Sequence, residues 1–425
     1  MERYNEYKDS GVQWLGEIPS HWEVKRLASY FIERRTKVSD KDYQPLSVTK
    51  NGIFPQLENV AKTNDGDNRK LVLKDDFVIN SRSDRKGSSG VSKYDGSVSL
   101  INIVLNPRSN VIPDYCNYIL KGYSFIEEYY RNGRGIVADL WTTRYDEMKT
   151  IKICMPPVIE QQAIVSYLDT ATAKIDEAIA QQQKMIDLLN ERKQIIINNA
   201  VTKGLNPDAP MKDSGVEWIG EIPEHWEVMK LKHVTSKIGS GSTPRGGAEV
   251  YQDSGIMFLR SQNVYNDGLK LDDVAHIVDG VHQKMKGTQV KYNDILYNIT
   301  GGSIGRCCCY DREDEANVNQ HVSIVRPKGI IAKYLMYNLQ SDNAQRQLRE
   351  TLKGGNREGL AAVTFKEFLI LTCPKEEQNQ IVSHIERMFV NIDRAISNAT
   401  KQISLLQERK QIIINDVVTG KVKVS

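Results

Sequence analysis

Two long stretches dominate the hydrophobic pattern of the chain, and in both of them mostly apolar residues recur at alternating steps of four and three. The first lies within residues 158–203, which contain no proline or glycine, and the second follows Pro374. This is the a/d spacing of a coiled-coil helix, so the sequence predicts two long helices. Over residues 160–199 the first would be about 60 Å long at roughly 1.5 Å per residue. The seam positions are Ile164, Leu168, Ala171, Ile175, Ala178, Gln182, Met185, Leu189, Arg192 and Ile196 in the first stretch, and Ile381, Ile385, Met388, Ile392, Ala395, Ala399, Gln402, Leu406, Arg409 and Ile413 in the second.

Ahead of each helical stretch, short apolar runs alternate with polar loops, as is typical of β-strands. In the first region these runs are 71–73, 77–79, 98–105 and 151–154, and helical spacing predicts one helix over 115–130. The region therefore mixes strands with a helix.

The second region, 226–373, repeats the framework of the first. Residues 293–296 correspond to 75–78, and 322–325 correspond to 102–105. The segments between these anchors do not match, which predicts one scaffold with two different sets of loops. The unmatched pairs are 41–70 against 239–290 and 81–100 against 298–320.

A near-identical stretch precedes each region. Residues 8–27 and 212–231 share 15 of 20 positions, and the helix segments 188–198 and 405–415 share 10 of 11. The chain is thus a tandem duplication of a domain plus a helix, a spacing too long for a solenoid repeat. The predicted divisions are an extended, turn-rich segment 1–21, a domain 22–155, a helix 156–204, a connector 205–225 that repeats 1–21, a domain 226–373, and a helix with a C-terminal tail, 374–425.

Each seam needs a partner helix, and the obvious partner is the other copy in the same chain. A two-fold relation between the copies would make the helices antiparallel and place residues 418–425 close to residues 1–12. The predicted fold is therefore α+β (mixed α/β), with two pseudo-symmetric globular domains joined by a pair of long antiparallel coiled-coil helices. The alternative is an intermolecular coil in a homodimer.

Composition and motifs argue against an enzyme. The net charge is only +3, so any basic surface must be local. No apolar run approaches the length of a membrane span and the N-terminus has no signal-peptide core, so we expect a cytoplasmic protein. The six cysteines, including Cys307 to Cys309, and the seven histidines show no metal-ligand spacing, so no metal site is predicted and the thiols are expected to be reduced and packed.

Catalytic motifs are also missing from the sequence. There is no Asp/Asn-Pro-Pro-aromatic tetrad of an adenine methyltransferase and no phosphate-binding G-x-x-x-x-G-K-[ST], and the glycine-rich run 301–306 lacks the lysine. The one nuclease-like pattern combines Asp76 with Asp84, Arg85 and Lys86, but the second copy lacks it. No catalytic residue is predicted.

Three motifs resemble a known family: KDSGVEWIGEIPEHWEV at 212–228, TKGLNP at 202–207, and the helix ends ERKQIIIN. They are similar to the specificity subunit of type I restriction-modification systems, and the resemblance covers essentially the whole chain. It implies two target-recognition domains that each read half of a bipartite site in double-stranded DNA. It further implies long helices that fix the gap and dock two methylation subunits, and ATP-dependent restriction subunits that complete the nuclease. S-adenosylmethionine, ATP and Mg would bind those partners, and no cofactor would bind this chain.

Candidate DNA contacts are basic, amide and hydroxyl side chains, most of which cluster in the segments differing between the two copies. A solvated loop charge is the plain alternative for each of them. The candidates are Arg82, Arg85, Lys86, Lys93, Thr143, Arg144, Lys237, Ser240, Thr243, Arg245, Arg260, Gln262, Asn263, Lys284, Lys286, Arg306, Asn319 and Gln320. On the helices we assign partner binding to the seam residues Ile164, Leu168, Ile175, Leu189, Ile381, Ile385, Ile392 and Leu406.

The repeated stretch itself is expected to be a packed joint between a helix end and a domain. It is nearly identical in both copies, whereas the loops beyond it diverge. We therefore expect Trp22 and Trp226 to support folding and domain placement, with no effect on which sequence is recognised.

Overall fold

The computed structural model divides the chain into two compact units. One unit combines Met1–Gln183 with Thr400–Ser425, and the other is Lys184–Ala399. The residues that the structure describes are 2–56, 66–136, 141–353 and 359–424.

The first unit contains a four-stranded antiparallel sheet of order β10-β9-β12-β4, a three-stranded sheet β11-β8-β5, and three two-stranded pairs, β1-β2, β3-β13 and β6-β7. Its elements are β1 (Tyr7–Asp9), β2 (Glu17–Pro19), β3 (Glu23–Arg26), β4 (Phe31–Glu33), β5 (Lys37–Val38), β6 (Leu46–Thr49), β7 (Gly52–Pro55), β8 (Arg69–Val72), β9 (Phe77–Asn80), β10 (Ser89–Val91), β11 (Gly96–Val98), β12 (Asn102–Pro107), α1 (Pro113–Lys121), α2 (Tyr123–Arg131), α3 (Tyr145–Met148), β13 (Lys152–Met155) and the first part of α4 (Val158–Lys203).

The second unit repeats the four-stranded sheet as β23-β22-β25-β17 and adds a three-stranded sheet, β21-β18-β24, in which β18 and β24 are parallel. Its elements are β14 (Met211–Asp213), β15 (Glu221–Pro223), β16 (Glu227–Lys230), β17 (Thr235–Ser240), β18 (Ile256–Leu259), β19 (Val264–Tyr265), β20 (Gly268–Leu269), β21 (Ala275–Ile277), α5 (Asp279–Lys284), β22 (Ile295–Asn298), β23 (Cys307–Cys309), β24 (Ala316–Val318), β25 (Val322–Pro327), α6 (Ala332–Gln340), α7 (Asp342–Lys353), α8 (Ala362–Phe365), β26 (Leu369–Thr372) and the first part of α9 (Lys375–Val418).

Proline and glycine set the ends of the two long helices. The carbonyl of Pro157 accepts the Gln161 N–H at 2.9 Å, and that of Pro374 accepts the Gln378 N–H at 3.0 Å, so each helix begins directly after a proline. At the other ends, Gly204 and Gly420 adopt φ values of 72° and 75°, the left-handed conformation that commonly terminates a helix. The predicted helices are confirmed.

The first half of each seam is largely buried within the chain, and in each unit the two helices run antiparallel. In the first unit Ile164 and Leu168 share a core with Ile414 and Val417, and Lys410 Nζ lies 2.6 Å from Asp176 Oδ1. In the second unit Ile197 and Val201 share a core with Ile381 and Ile385, and Lys193 Nζ lies 2.7 Å from Asp393 Oδ1. The predicted intramolecular pairing of α4 with α9 is therefore confirmed.

The two ends of the chain meet, as the duplication predicts. The Lys423 N–H donates to the Glu2 carbonyl at 2.9 Å in an isolated antiparallel bridge, and the Tyr7 hydroxyl donates to the Lys421 carbonyl at 3.4 Å. Met1 and Ser425 lie outside the described residues.

Two element predictions were wrong in detail. The helix predicted over 115–130 is two helices, because Gly122 between α1 and α2 has an extended conformation, with φ −59° and ψ 142°. The strand predicted over 98–105 is also divided, into β11 and β12, by the turn 99–101. Periodicity alone did not reveal either break.

Candidate nucleic-acid interface

The repeated stretch forms the same joint in both units. His21 Nε2 lies 2.9 Å from Glu160 Oε2, and His225 Nε2 lies 2.7 Å from Glu377 Oε2. Each histidine belongs to the stretch and each glutamate to the first turn of a long helix. The joint therefore fixes the start of α4 to one copy of the stretch and the start of α9 to the other.

A glutamine in the same helical turn ties each long helix to its globular domain. Gln161 Oε1 accepts the Ile112 N–H at 2.9 Å, and Gln378 Oε1 accepts the Ile331 N–H at 2.9 Å. Both glutamines are buried. Because Ile112 and Ile331 directly precede α1 and α6, the contact sets the position of those helices in each unit.

Beyond the joint, each unit presents a loop of nine residues on the same backbone path. The Asn80 N–H donates to the Ser88 carbonyl at 2.9 Å, and the Asn298 N–H donates to the Arg306 carbonyl at 2.8 Å. Each loop contains a 3₁₀ turn, Ser83–Arg85 or Gly301–Ser303. The sequence did not reveal this equivalence, because the side chains of the two loops differ almost throughout.

Two further segments meet that loop at one edge of each unit. In the first unit the Ser81 N–H donates to the Ile101 carbonyl, and the Thr143 N–H donates to the Ser81 carbonyl. In the second unit the Ile299 N–H donates to the His321 carbonyl, and the Leu360 N–H donates to the Ile299 carbonyl. We call this three-segment region the loop edge; it comprises residues 81–85, 99–101 and 141–144 in the first unit, and 299–303, 319–321 and 359–361 in the second.

The loop edge of the first unit is basic, since three arginines outnumber its one acid, Asp84, whose Oδ2 lies 3.6 Å from Arg85 Nε. Arg82, Arg85 and Arg144 are exposed there, so three of the predicted contacts lie on the same edge. Arg134 joins them, because its backbone pairs with Thr142; its side chain is 84% exposed, and its Nε lies 3.4 Å from Glu147 Oε1. The sequence interpretation missed Arg134, since no local charge cluster marks it.

Lys86, beside this edge, is partly neutralised. Its Nζ lies 2.8 Å from a Glu127 carboxylate oxygen and 4.6 Å from the centre of the Tyr130 ring. This half-exposed lysine is thus held by a cation–π contact and an ion pair.

The loop edge of the second unit is polar and nearly uncharged. Gln320 is exposed beside His321 and Thr300, and the Gly241 N–H donates to the Val322 carbonyl at 2.9 Å. The Thr243 hydroxyl donates to Gln320 Oε1 at this edge, and Arg245, two residues further along the chain, is exposed. A Cβ at Gly241 would overlap the Val318 carbonyl, so the close approach of this loop requires glycine.

Three residues that were predicted to contact DNA are buried, so that prediction is wrong for them. The Thr143 hydroxyl donates to the Tyr129 carbonyl, Asn263 Nδ2 donates to the Lys270 carbonyl, and Asn319 Oδ1 accepts the His321 N–H. Their exposed fractions are 1%, 2% and 8%. These side chains hold loops in place and present little surface to a duplex.

Other predicted contacts are bonded within the second unit. Arg260 and Gln262 both donate to Asp273, at 2.9 Å to its carbonyl and 2.7 Å to its carboxylate. Lys237 Nζ donates to the Gly287 carbonyl, and burial lowers the pKa of this amine. Arg306 is exposed and lies 4.8 Å from the centre of the Tyr265 ring. The remaining predicted residues, Lys93, Ser240, Lys284 and Lys286, are exposed.

The seam residues assigned to partner binding serve the chain's own packing. Six of them are buried and two are half-buried, so their side chains are largely inaccessible to another subunit. The buried ones are Ile164, Leu168, Ile175, Ile381, Ile385 and Ile392, and the half-buried ones are Leu189 and Leu406. The helices instead expose other apolar residues at equivalent places, namely Leu188 and Ile195 on α4 and Leu405 and Ile412 on α9.

The nuclease-like pattern does not form a site. Asp76 is buried and accepts two hydrogen bonds from the Arg34 guanidinium, at 2.7 and 3.0 Å. Arg326 and Asp294 form the corresponding pair in the second unit, at 2.7 Å. In both units a buried aspartate at the start of a central strand is neutralised by an arginine, as expected of a structural ion pair.

Metal ligands and reactive thiols are also lacking where the structure describes the chain. Residues 2–56, 66–136, 141–353 and 359–424 contain no group of three or more His, Cys, Asp or Glu side chains that could hold a metal ion. All six cysteines are free, and burial raises the pKa of the Cys308 and Cys309 thiols to about 12. None of the helices in the described part of the chain combines the length and apolar character that a membrane crossing requires.

Comparisons with known proteins agree with this architecture. Residues 223–404 match the type I restriction modification DNA specificity domain. The chain is 25% identical to the type I restriction enzyme MjaVIII specificity subunit of Methanocaldococcus jannaschii, covering 100% of this chain and 98% of that one. It is 21% identical to the EcoKI specificity subunit of Escherichia coli, covering 92% and 88%.

The fold has a counterpart among solved structures. A chain from a structure of the type I restriction-modification system, described in terms of its complex assembly and conformational transition, superposes with a TM-score of 0.66. The two chains are 14% identical, and the match covers 95% of this chain and 99% of the other. This likeness identifies the fold, with two copies of a domain and two long helices.

Proposed function

Because this chain belongs to the family of type I restriction-modification DNA specificity subunits, we propose that its two globular domains read the two halves of one bipartite DNA site. The observation that supports this most directly is the pair of equivalent loop edges. Their nine-residue loops share length and backbone hydrogen bonds, yet one carries Arg82 and Arg85 where the other carries Thr300 and Ser303. One scaffold with two side-chain sets suits the recognition of two different sequences.

The chemistry of each loop edge fits contact with a duplex. Guanidinium groups pair with phosphates and, bidentately, with guanine, while amides pair with adenine. In the first unit the guanidinium contacts would come from Arg82, Arg85, Arg134 and Arg144. In the second unit the amide contact would come from Gln320. Splitting the site adds specificity, because each mismatched base pair typically costs about 1–3 kcal/mol.

We propose that α4 and α9 set the gap between half-sites and dock two methylation subunits. Leu188 and Ile195 are 55% and 50% exposed and lie seven residues apart, hence on one face of α4. Leu405 and Ile412 repeat that face on α9, at 54% and 51% exposed. Two equal apolar faces provide one site for each of two identical partners.

The chain would act by binding alone. In this proposal S-adenosylmethionine, ATP and Mg bind the methylation and restriction subunits, and the target adenine is flipped out of the duplex into a methylation subunit. This chain carries no catalytic residue and no cofactor, and it acts in the cytoplasm.

Co-expression with the methylation subunit tests both surfaces. We expect a larger complex on size analysis that methylates adenine with S-adenosylmethionine. Arg82→Ala with Arg144→Ala should reduce DNA affinity by about tenfold or more at fixed salt without loss of the complex. Unchanged affinity would contradict the DNA-binding assignment of the first loop edge.

The helix faces need their own variant and a matched control. Leu188→Glu with Leu405→Glu should prevent binding of the methylation subunit while the chain remains folded. Asn190→Glu with Gln407→Glu introduces the same charges two residues further on, about 200° around each helix, and should leave the complex intact. Equal behaviour of both pairs would contradict the docking faces.

A further inference from the structure

We propose that Gln320 is a base-reading residue of the second unit and that Thr243 and His321 orient its amide to fit an adenine. This inference rests on the proposed DNA-binding function. It deepens that function by assigning the contacts that orient the Gln320 amide, which come from Thr243 and His321.

A chain of four side chains fixes the amide. The Thr243 hydroxyl donates to Gln320 Oε1, and Gln320 Nε2 donates to His321 Nε2 at 3.0 Å. An amide nitrogen only donates, so His321 Nε2 must be the unprotonated acceptor. Nδ1 is therefore the nitrogen that carries a proton; it lies 2.5 Å from Thr300 Oγ1 and donates to it.

The amide keeps half of its hydrogen-bonding capacity. A primary amide has two N–H donors and two acceptor lone pairs, and the internal contacts use one of each. One donor and one acceptor remain on an exposed side chain. In the major groove, adenine offers an N6 donor and an N7 acceptor, the pair to which a glutamine amide binds.

The backbone around Gln320 is held as well. The buried Asn319 side chain accepts the His321 N–H at 3.1 Å, and the His321 carbonyl accepts the Ile299 N–H at 2.9 Å. A Cβ at Gly359 would lie 2.7 Å from Thr300 Cγ2, so the third segment packs closely behind the network. A preorganised group loses little freedom on binding, which favours discrimination between bases.

The equivalent turn of the first unit has different chemistry. The Asn102 N–H donates to the Ser99 carbonyl as the Val322 N–H does to the Asn319 carbonyl, so Leu100 and Ile101 stand where Gln320 and His321 stand. Leu100 and Ile101 are 43% and 39% exposed. The same turn is thus apolar in one unit and amide-bearing in the other, as expected of a position that selects bases.

The test maps methylated adenines in genomic DNA modified by the complex of the full-length chain with its methylation subunit. We expect Gln320→Ala to reduce discrimination at one position of one half-site by about ten- to a hundredfold. Gln320→Glu should change the preferred base there from adenine towards cytosine, because a carboxylate accepts from the cytosine N4 amine. The other half-site should remain unchanged in both variants.

The positioning role of His321 has a separate readout. His321→Ala should lower the ratio of cognate to non-cognate affinity without lowering the melting temperature. His321→Gln, which retains an acceptor near Nε2, should restore part of that ratio. Gln252→Glu makes the same charge change at another exposed glutamine of the unit and should leave the motif unaltered.

Different results would overturn the assignment of Gln320 and the proposed DNA-binding function. A bipartite motif that is the same for the wild type, Gln320→Ala and Gln320→Glu would overturn the assignment of Gln320 and leave the proposed function standing. A wild-type complex that modifies DNA with no recognised motif would overturn both. Thr243→Val replaces only the hydroxyl with a methyl group, so it keeps the test decisive if a Gln320 variant folds poorly. An unchanged motif in this variant would count against the network.

Discussion

His21 Nε2 lies 2.9 Å from Glu160 Oε2, and the same contact recurs 204 and 217 residues further on between His225 and Glu377. The near-identity of the two stretches therefore has a physical cause. Each stretch must meet the first turn of one long helix and a globular domain at once.

The joint tryptophans should affect stability and leave sequence recognition unchanged. Trp22 and Trp226 are fully buried, so replacing either with alanine should lower the free energy of unfolding by about 3–5 kcal/mol. Urea denaturation measures the loss. DNA methylated by the complex that the folded fraction of either variant forms should carry the wild-type motif. An altered motif would mean that the joint reads bases.

The glycine that ends α9 should tolerate substitution less well than the one that ends α4. Both have positive φ, but a Cβ at Gly420 would overlap Pro19, whereas one at Gly204 would lie 3.3 Å from Trp226 Cζ2. Gly420→Ala should therefore destabilise the chain by more than the roughly 1 kcal/mol that we expect for Gly204→Ala. Thermal unfolding of the two variants side by side gives the comparison, and equal shifts would refute the close contact.

The Arg34–Asp76 pair should be structural. Asp76→Ala leaves a guanidinium that is only 19% exposed without its partner, so we expect a loss of about 3–5 kcal/mol in unfolding free energy. Asp84→Ala, at an exposed ion pair of the same nuclease-like pattern, should change stability by less than about 1 kcal/mol. If purified chain cleaved DNA with added Mg²⁺ and lost that activity in Asp76→Ala, a structural role would be untenable.

The helices and the meeting of the termini could be predicted because both follow from regular patterns. The seam repeats every seven residues, and the duplication imposes a pairing of equivalent parts. The loop edges could not be predicted in the same way. Residues 80–88 and 298–306 share a backbone path set by main-chain hydrogen bonds, while their side chains diverged. Arg134 and Thr300 reach the edges only through tertiary contacts, and burial removed Thr143, Asn263 and Asn319 from the surface.

A circular permutant that joins Ser425 to Met1 should fold. The bridge between Glu2 and Lys423 already brings the ends together, and opening the chain between Pro207 and Asp208 places the new termini in the equivalent connector. We expect a melting temperature within a few degrees of the wild type. As a control, the same joined chain is opened between Gln183 and Lys184, which interrupts α4. This control should be much less stable than the first permutant; equal stability would mean that continuity of α4 does not matter.

The most direct test of the account lengthens both helices by one heptad. Residues 177–183 are duplicated in α4 and 393–399 in α9, which preserves the a/d seam and adds about 10.5 Å, or about three base pairs of DNA. A five-residue duplication, which breaks the seam, serves as the control and should destabilise the chain. Methylated adenines are then mapped for the wild type and the heptad variant. We predict the same two half-sites with a gap longer by about three base pairs; an unchanged gap, or a single continuous motif, would contradict a specificity subunit whose helices space two reading domains.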